Sequence, residues 1–297
     1  SLAALKQVAG VKGSVSSGQV GFQLAPRLNA AGRLESAVPG VELLLSDDPQ
    51  QAAALAEELD AANLERRQVE RRIFEEACAL IEAQGGVAER KSIVLSSPDW
   101  HQGVVGIVAS RMVERYYRPT ILIAEREDGT GKGSGRSISG FHLLDALHDC
   151  SAHLERYGGH RAAAGVTVQA GQIAAFAEAF EQAAATRLGD QELLPQLQLD
   201  AELHPNELTL QLVQELQSLG PFGMGNQTPV LLMQGMKVGD LRSFGENHLN
   251  LRLEWDRYQF KAVGWGMADR EVPACIDLAC TVKIDTWNNR EQLKLEL

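Results

Sequence analysis

A chain of 297 residues is long enough for two domains with a core each, and 44% hydrophobic against 23% charged residues is the balance of a globular protein. No apolar run approaches the roughly 18 residues that cross a bilayer, and nothing near Ser1 reads as a signal peptide, so a membrane is not an expected partner. The formal charge of -11 weighs against a broad nucleic-acid surface, yet it leaves room for a narrow groove lined by a few arginines, because field focusing is local.

In chain order, the first residue is Ser1 rather than a start Met, and residues 2–11 already read as a helix ending at a glycine, which fits a chain cut from something longer. A Gly/Ser-rich turn is expected over 13–21. The segment Ala25-Pro-Arg-Leu-Asn-Ala-Ala-Gly-Arg33 follows. Its Arg27 and Arg33 do not share a face cleanly if it winds helically. In an irregular loop they converge, with Asn29 between them, on one phosphate, a ligand suited to the planar guanidinium fork. The competing reading is two surface arginines on a small-residue helix.

A long helix comes next. Asp47 and Asp48 can cap it, Pro49 suits its first turn, and Gly85-Gly86 stop it. Leu55, Leu59, Ala62, Val69, Ile73, Ala77 and Leu80 form one apolar stripe, interrupted at Arg66. At 1.5 Å per residue such a helix spans roughly 50 Å. Arg66, Arg67, Arg71 and Arg72 beside Glu70, Glu75 and Glu76 read as a solvated, salt-bridged face. The whole suits a connector between domains.

Residues 88–190 alternate short β-branched runs (92–96, 120–124, 165–169) with helical periods (104–115, 172–187), the pattern of an α/β domain. Three segments in it place polar residues among small ones, which lets a backbone approach a ligand while the polar groups supply donors. Trp100-His-Gln-Gly-Val-Val-Gly106 follows a strand and opens a helix, where free N–H groups make an anion site. There His101 donates to phosphate or serves the turn. Gly131-Lys-Gly-Ser-Gly-Arg-Ser137 is neither a Walker A loop nor a Rossmann fingerprint, but it offers Lys132, Ser134, Arg136 and Ser137; a flexible hairpin turn is the plainer reading. Gly158-Gly-His-Arg-Ala-Ala-Ala-Gly165 reads as a tight loop running into a close-packed strand.

Residues 191–297 change character. A helix at 205–219 and a Gly/Pro turn at 220–225 precede five expected strands, at 230–238, 248–255, 259–264, 277–284 and 292–297. That spacing predicts a small β-barrel of the OB type. Trp255, Tyr258, Phe260, Trp265 and Trp287 are possible stacking platforms, with barrel core the better expectation for most. From residue 200 onward there are 14 acidic against 9 basic side chains, which leaves a brace or a protein-docking surface open beside strand binding. The four cysteines form no C-x-x-C pair, so buried free thiols and a cytoplasmic setting are expected.

Taken together and in this order, the segments 25–33, 100–106, 134–137 and 158–165 resemble successive motifs of the RecJ exonucleases of the DHH phosphoesterase superfamily. The last of them marks the DHHA1 domain. The resemblance covers almost the whole chain. It implies residues 1–46 as the end of the DHH domain, 47–87 as a long connecting helix, 88–190 as an α/β DHHA1 substrate-binding domain, and 191–297 as an OB-like β-barrel domain. It further implies 5′ to 3′ degradation of single-stranded DNA in repair and recombination, with Mn2+ or Mg2+ in the full-length enzyme, action as a monomer, and single-strand-binding protein as a partner. In that family the ions sit on aspartates and an Asp-His-His triplet. None of the seven histidines here adjoins another, so no catalytic or metal residue is expected in this chain. By resemblance, Arg27, Asn29, Arg33, His101, Ser134, Arg136, Gly158, Gly159, His160 and Gly165 hold the strand. The alternatives are a phosphodiesterase of short oligonucleotides or cyclic dinucleotides, and a stand-alone nucleic-acid-binding module.

Overall fold

The stretch expected as a Gly/Ser turn is largely helical in the computed structural model, which describes residues 1–190, 193–223, 225–245, 247–287 and 290–297, with backbone alone for Thr286, Trp287 and Arg290. After helix α1 (Leu2–Val8), Gly10 and Gly13 turn the chain at positive φ. The Ser16 hydroxyl then accepts from the Gln19 N–H while the Gln19 side chain accepts from the Ser16 N–H. This capping box starts α2 (Ser17–Gln19), outweighing the glycines around it. A π-type turn over Val20–Leu24 runs directly into α3 (Ala25–Leu34), with Pro26 in its first turn.

Helix α4 (Val38–Leu45) leads to α5 (Pro49–Ala83), 35 residues long. The Asp48 carboxylate accepts from the Gln50 N–H at its start, and Gly85 and Gly86 at φ +88° and +82° end it. The first half of α5 packs on α1, α3 and α4 through Leu5, Leu24, Leu43 and Leu59. The second half packs on α6 (Val105–Tyr116) through Ile73, Ile81, Val108 and Met112. Between the two, Arg66 and Glu70 do not form the solvated face expected of them. Their side chains are only 12% and 16% exposed and pair at 2.8 Å. The buried residues Ala52, Ala56, Leu59, Asn63, Ile73, Ala77 and Ile81 are joined on one stripe by the half-buried Arg66 and Glu70, so polar residues continue the seam instead of breaking it.

Among the described residues of the first unit (1–195), five strands form one sheet in the order β1-β2-β3-β5-β4. They are β1 (Ile93–Ser97), β2 (Thr120–Glu125), β3 (Thr130–Arg136), β4 (Arg156–Gly159) and β5 (Ala163–Gln169). Only the β1–β2 pair is parallel. Helices α7 (Leu143–Asp149) and α8 (Ile173–Leu188) cover one face. Helix α6, backed by α5, covers β2 and β3 on the other. Residues 131–136, for which a flexible hairpin turn stood beside a ligand-holding stretch as a reading, are strand β3. Their glycines are demanded by packing, since a Cβ at Gly133 would lie 2.5 Å from Val166 Cγ2 and one at Gly131 2.6 Å from Ile123 Cγ2. The expected loop over 158–165 is the β4–β5 hairpin, which the sequence hides behind Gly158 and Gly159.

The second unit (196–297) opens with β6 (Ala201–Glu202) and α9 (Leu210–Ser218), which is capped by Thr209 and preceded by a separate 3-10 turn at Pro205–Glu207. Strands β7 (Leu231–Phe244), β8 (His248–Trp255) and β9 (Tyr258–Trp265) form an antiparallel meander. Then β11 (Arg290–Glu296) joins β9 in parallel, and β10 (Cys275–Trp287) pairs with both β11 and β7, closing a ring of pairings. Strand β7 runs six residues beyond the expected end. Its first part, 231–237, pairs with β10 and its second, 237–244, with β8, each pairing carrying a register shift. Met233, Leu251, Leu253, Phe260, Leu278 and Leu295 are among its core residues.

Candidate nucleic-acid interface

Because Gly131, Gly133 and Gly135 face the α7–α8 side, Lys132, Ser134 and Arg136 stand on the opposite face of β3. Strand register extends them into three transverse rows. Arg136 lies across from Ala163, whose carbonyl accepts from the His160 N–H at 2.8 Å. Ser134 lies across from Gly165, and Gly165 from Gly158. Lys132 lies across from Thr167, and Thr167 from Arg156. The rows are two residues apart, about 6.7 Å. The floor over β5 and β4 is open: a Cβ at Gly158 would meet nothing within 4 Å, and one at Gly165 only the Gly133 carbonyl at 3.9 Å.

The wall beside this floor brings three of the predicted segments together. Gly103 is pressed against the end of α3, where an added Cβ would fall 1.9 Å from the Arg33 carbonyl oxygen. Arg33 Nη1 in turn donates to the Gly103 carbonyl at 3.4 Å. Three residues on, a Cβ at Gly106 would lie 2.8 Å from Ser134 Oγ and 3.3 Å from Arg136 Nη2. Small residues in the 100–106 turn are thus what let α3, α6 and β3 meet.

The electrostatics follow from that crowding. Arg136 Nη1 donates to the Gly135 carbonyl at 2.8 Å and to Ser134 Oγ at 3.2 Å, and among the described residues it has no carboxylate partner. Burial, and after it the charge of Arg33, press the Arg136 guanidinium below its ordinary value. Burial acts on Arg66 in the same direction, opposed by Glu70 and reinforced by Arg33 and Arg67. Glu70 is shared between Arg66 at 2.8 Å and Arg111 at 3.2 Å. Arg66 Nε is buried with no partner among the described residues. Arginines stay protonated, so clustered guanidiniums short of carboxylates favour an anion between them.

Other predicted residues take different places. Arg27 faces α5, donating through Nε to Asp60 at 2.7 Å and through Nη1 to the Gln23 carbonyl at 2.6 Å. Asn29 is exposed on α3. The helix therefore separates Arg27 from Arg33. His101 Nδ1 accepts from the Gly103 N–H at 3.1 Å and so braces the turn. It borders a cleft of about 510 Å3 whose charged residues are Glu35, Glu58 and Glu65, a poor setting for phosphate. His160 is exposed at the hairpin tip, and Gly159 is needed by the hairpin itself, since a Cβ there would lie 2.4 Å from the Ala163 carbonyl oxygen. Two arginines not singled out from the sequence also lie here: Arg66, read as solvated, beside Arg33, and Arg156 across from Thr167, for which a period-two reading of β4 would have been the signal. No group of three or more His, Cys, Asp or Glu is placed to hold a metal among the described residues.

In the second unit, Trp265 is 47% exposed, flanked by Phe244 and His248, with Lys294 Nζ 5.6 Å from its ring centroid. Arg252, Lys261 and Lys294 share a cleft of about 340 Å3 with Asp240 and Asp285. Phe260 is core, and Trp255 and Tyr258 pack half-buried against it. The Trp287 side chain lies outside the described residues.

Two family models match the chain, the DHHA1 domain over residues 89–186 and the RecJ OB domain over 199–297. The single-stranded-DNA-specific exonuclease RecJ of Bacillus subtilis (strain 168) is 36% identical over 298 aligned residues, which cover 98% of this chain and 38% of that protein. The crystal structure of RecJ from Thermus thermophilus in complex with Mn2+ superposes with a TM-score of 0.85 at 32% identity, covering 99% of this chain and 43% of that one. The Mg2+ complex from the same organism gives 0.84 at 32% identity, covering 99% and 45%. The chain thus spans about two-fifths of the length of the relatives it matches.

Proposed function

Because this chain belongs to the RecJ family, as a DHHA1 domain followed by a RecJ OB domain, we propose that it is the strand-holding part of a single-stranded-DNA exonuclease. The observation that carries this reading is the convergence of Arg33, Ser134 and Arg136 beside an open glycine floor. Arg33 and Arg136 hold one phosphate of the strand, with Ser134 Oγ and the exposed His160 as further donors. Gly158 and Gly165 let the sugar-phosphate backbone lie against the sheet. Arg27, Asn29 and His101 sit at the margin, where Arg27 anchors α3 to α5 and His101 shapes the turn.

Helix α5 joins the preceding segment to the DHHA1 domain, and the OB domain, a five-stranded barrel in this reading, extends the grip through Trp265, Arg252 and Lys261. Among the described residues no His, Cys, Asp and Glu group fits a two-metal centre, so no step of hydrolysis is assigned to them. We assign the ions, Mn2+ or Mg2+, to other parts of a longer protein. That protein would act 5′ to 3′ in cytoplasmic DNA repair and recombination, as a monomer working with single-strand-binding protein.

The test is fluorescence anisotropy with labelled single strands, followed by incubation with Mn2+. The chain should bind single strands and degrade none. Arg136→Ala should weaken binding across sequences and flatten its salt dependence. Degradation by the purified chain would overturn the division of labour, and unchanged affinity in Arg136→Ala would remove that arginine from the site. Affinity that does not grow with oligonucleotide length would favour the small-substrate phosphodiesterase.

A further inference from the structure

We propose that Lys132, Thr167 and Arg156 form a second phosphate subsite, one nucleotide along the strand from the Ser134–Arg136 row; this rests on the reading of the site given above. Register puts the three residues in one line across β3, β5 and β4, on the same face as Ser134 and Arg136. Lys132 Nζ donates to Thr167 Oγ1 at 2.8 Å, which turns the ammonium over the floor and not away from it. Lys132 and Arg156 border a shallow cleft of about 290 Å3 over Gly165 and Thr167. Neither cation has an ion pair among the described residues, and the neighbouring Glu155 is engaged by Gln169 Nε2.

Spacing and shape select the ligand. The Lys132–Arg156 row lies two residues from the Ser134 row and four from Arg136, and the two-residue step of about 6.7 Å is of the order of the phosphate repeat in an extended single strand. The middle row of Ser134, Gly165 and Gly158 is free of bulk. Packing does not require glycine at 158, since a side chain there would meet open space. The Arg136 guanidinium reaches back to Ser134 Oγ at 3.2 Å, so one sugar-phosphate step runs from the Ser134 row to the Lys132–Arg156 row. Thr167, only 8% exposed, contributes the positioning of Lys132 more than a direct contact.

The experiment compares Lys132→Gln/Arg156→Gln with Arg136→Ala and the unaltered chain, titrated with inorganic phosphate, a 5′-phosphorylated thymidine dinucleotide and longer thymidine oligonucleotides. Two lost phosphate contacts should weaken the longer oligonucleotides about tenfold or more. The salt slope should fall by about 0.7, the contribution of one phosphate on a single strand. Inorganic phosphate, which fills one subsite, should lose far less than the dinucleotide, whose two phosphates span both, and Lys132→Arg/Arg156→Lys should bind as the unaltered chain does, which separates lost charge from lost fold. Normal long-oligonucleotide binding by the Gln pair, with Arg136→Ala weakened, overturns the subsite and leaves the main site standing. Equal losses for phosphate, dinucleotide and longer strands also overturn it, by assigning the pair to a free-anion site. If Arg136→Ala binds normally as well, the reading of the site itself fails.

Discussion

Gly158 and Gly159 are neighbours in the sequence with opposite constraints. At Gly159 a Cβ would strike the Ala163 backbone, so Gly159→Ala should lower stability by about 1–3 kcal/mol in denaturant titrations. At Gly158 the space is open, so Gly158→Ala should stay within about 0.5 kcal/mol of the unaltered chain yet weaken strand binding. A large stability loss at Gly158, with binding intact in the remaining folded protein, would make that glycine structural. The thiols give a second residue-level prediction. Burial pushes Cys280 up to about 12, and burial followed by Asp149 pushes Cys150 up to about 11. These thiols stay neutral in the fold but ionise in the unfolded chain above the ordinary value of 9.0. The stability they contribute is therefore complete below pH 9.0 and is lost as pH rises towards 11 and 12. Urea midpoints measured across that window should fall, and fall less in Cys280→Ala. The motif pointed to all of Gly158–Gly165; the separation into ligand-facing and packing glycines needed the strand register, because the two faces of a strand differ only once its partners are known.

Helix α5 shows the same limit at the level of an element. Its start, end and length were legible, since Asp48, Pro49 and Gly85-Gly86 act locally. Its middle was not. Arg66 and Glu70 at i,i+4 spacing look alike on a solvated face and in a buried seam; only the approach of α6, with Arg111 reaching Glu70, distinguishes them. An exposed pair of this kind contributes about 0.3–0.5 kcal/mol. Glu70→Ala leaves two guanidiniums against a half-buried seam and should cost about 3 kcal/mol. A loss at the exposed-pair level in chemical denaturation would return the seam to solvent. Strand β3 was missed for a related reason: three alternating glycines read as flexibility, whereas here the period of two is what lets Ile121, Ile123 and Val166 close in.

For the whole molecule, the net charge of -11 and the proposed DNA grip are reconciled by local arrangement. In the proposed grip Arg33, Arg136, Lys132 and Arg156 serve one strand, while carboxylates such as Glu35, Glu58 and Glu65 line another cleft. Two phosphate subsites predict that log affinity falls with log salt at a slope of about -1.4, measured by anisotropy titrations. A slope near zero would mean that charge does not carry binding. The residues alone determined the change from α/β alternation to a run of strands, and which four segments stand out. These follow from local periodicity, capping and small-residue clusters, whose physics spans a few neighbours. Only the tertiary structure decided which residues of those segments face one another. Arg33 meets Gly103, Gly106 meets Ser134 and Arg136, and Arg27 turns to Asp60, because contacts between distant segments depend on strand register and helix packing that no local pattern encodes.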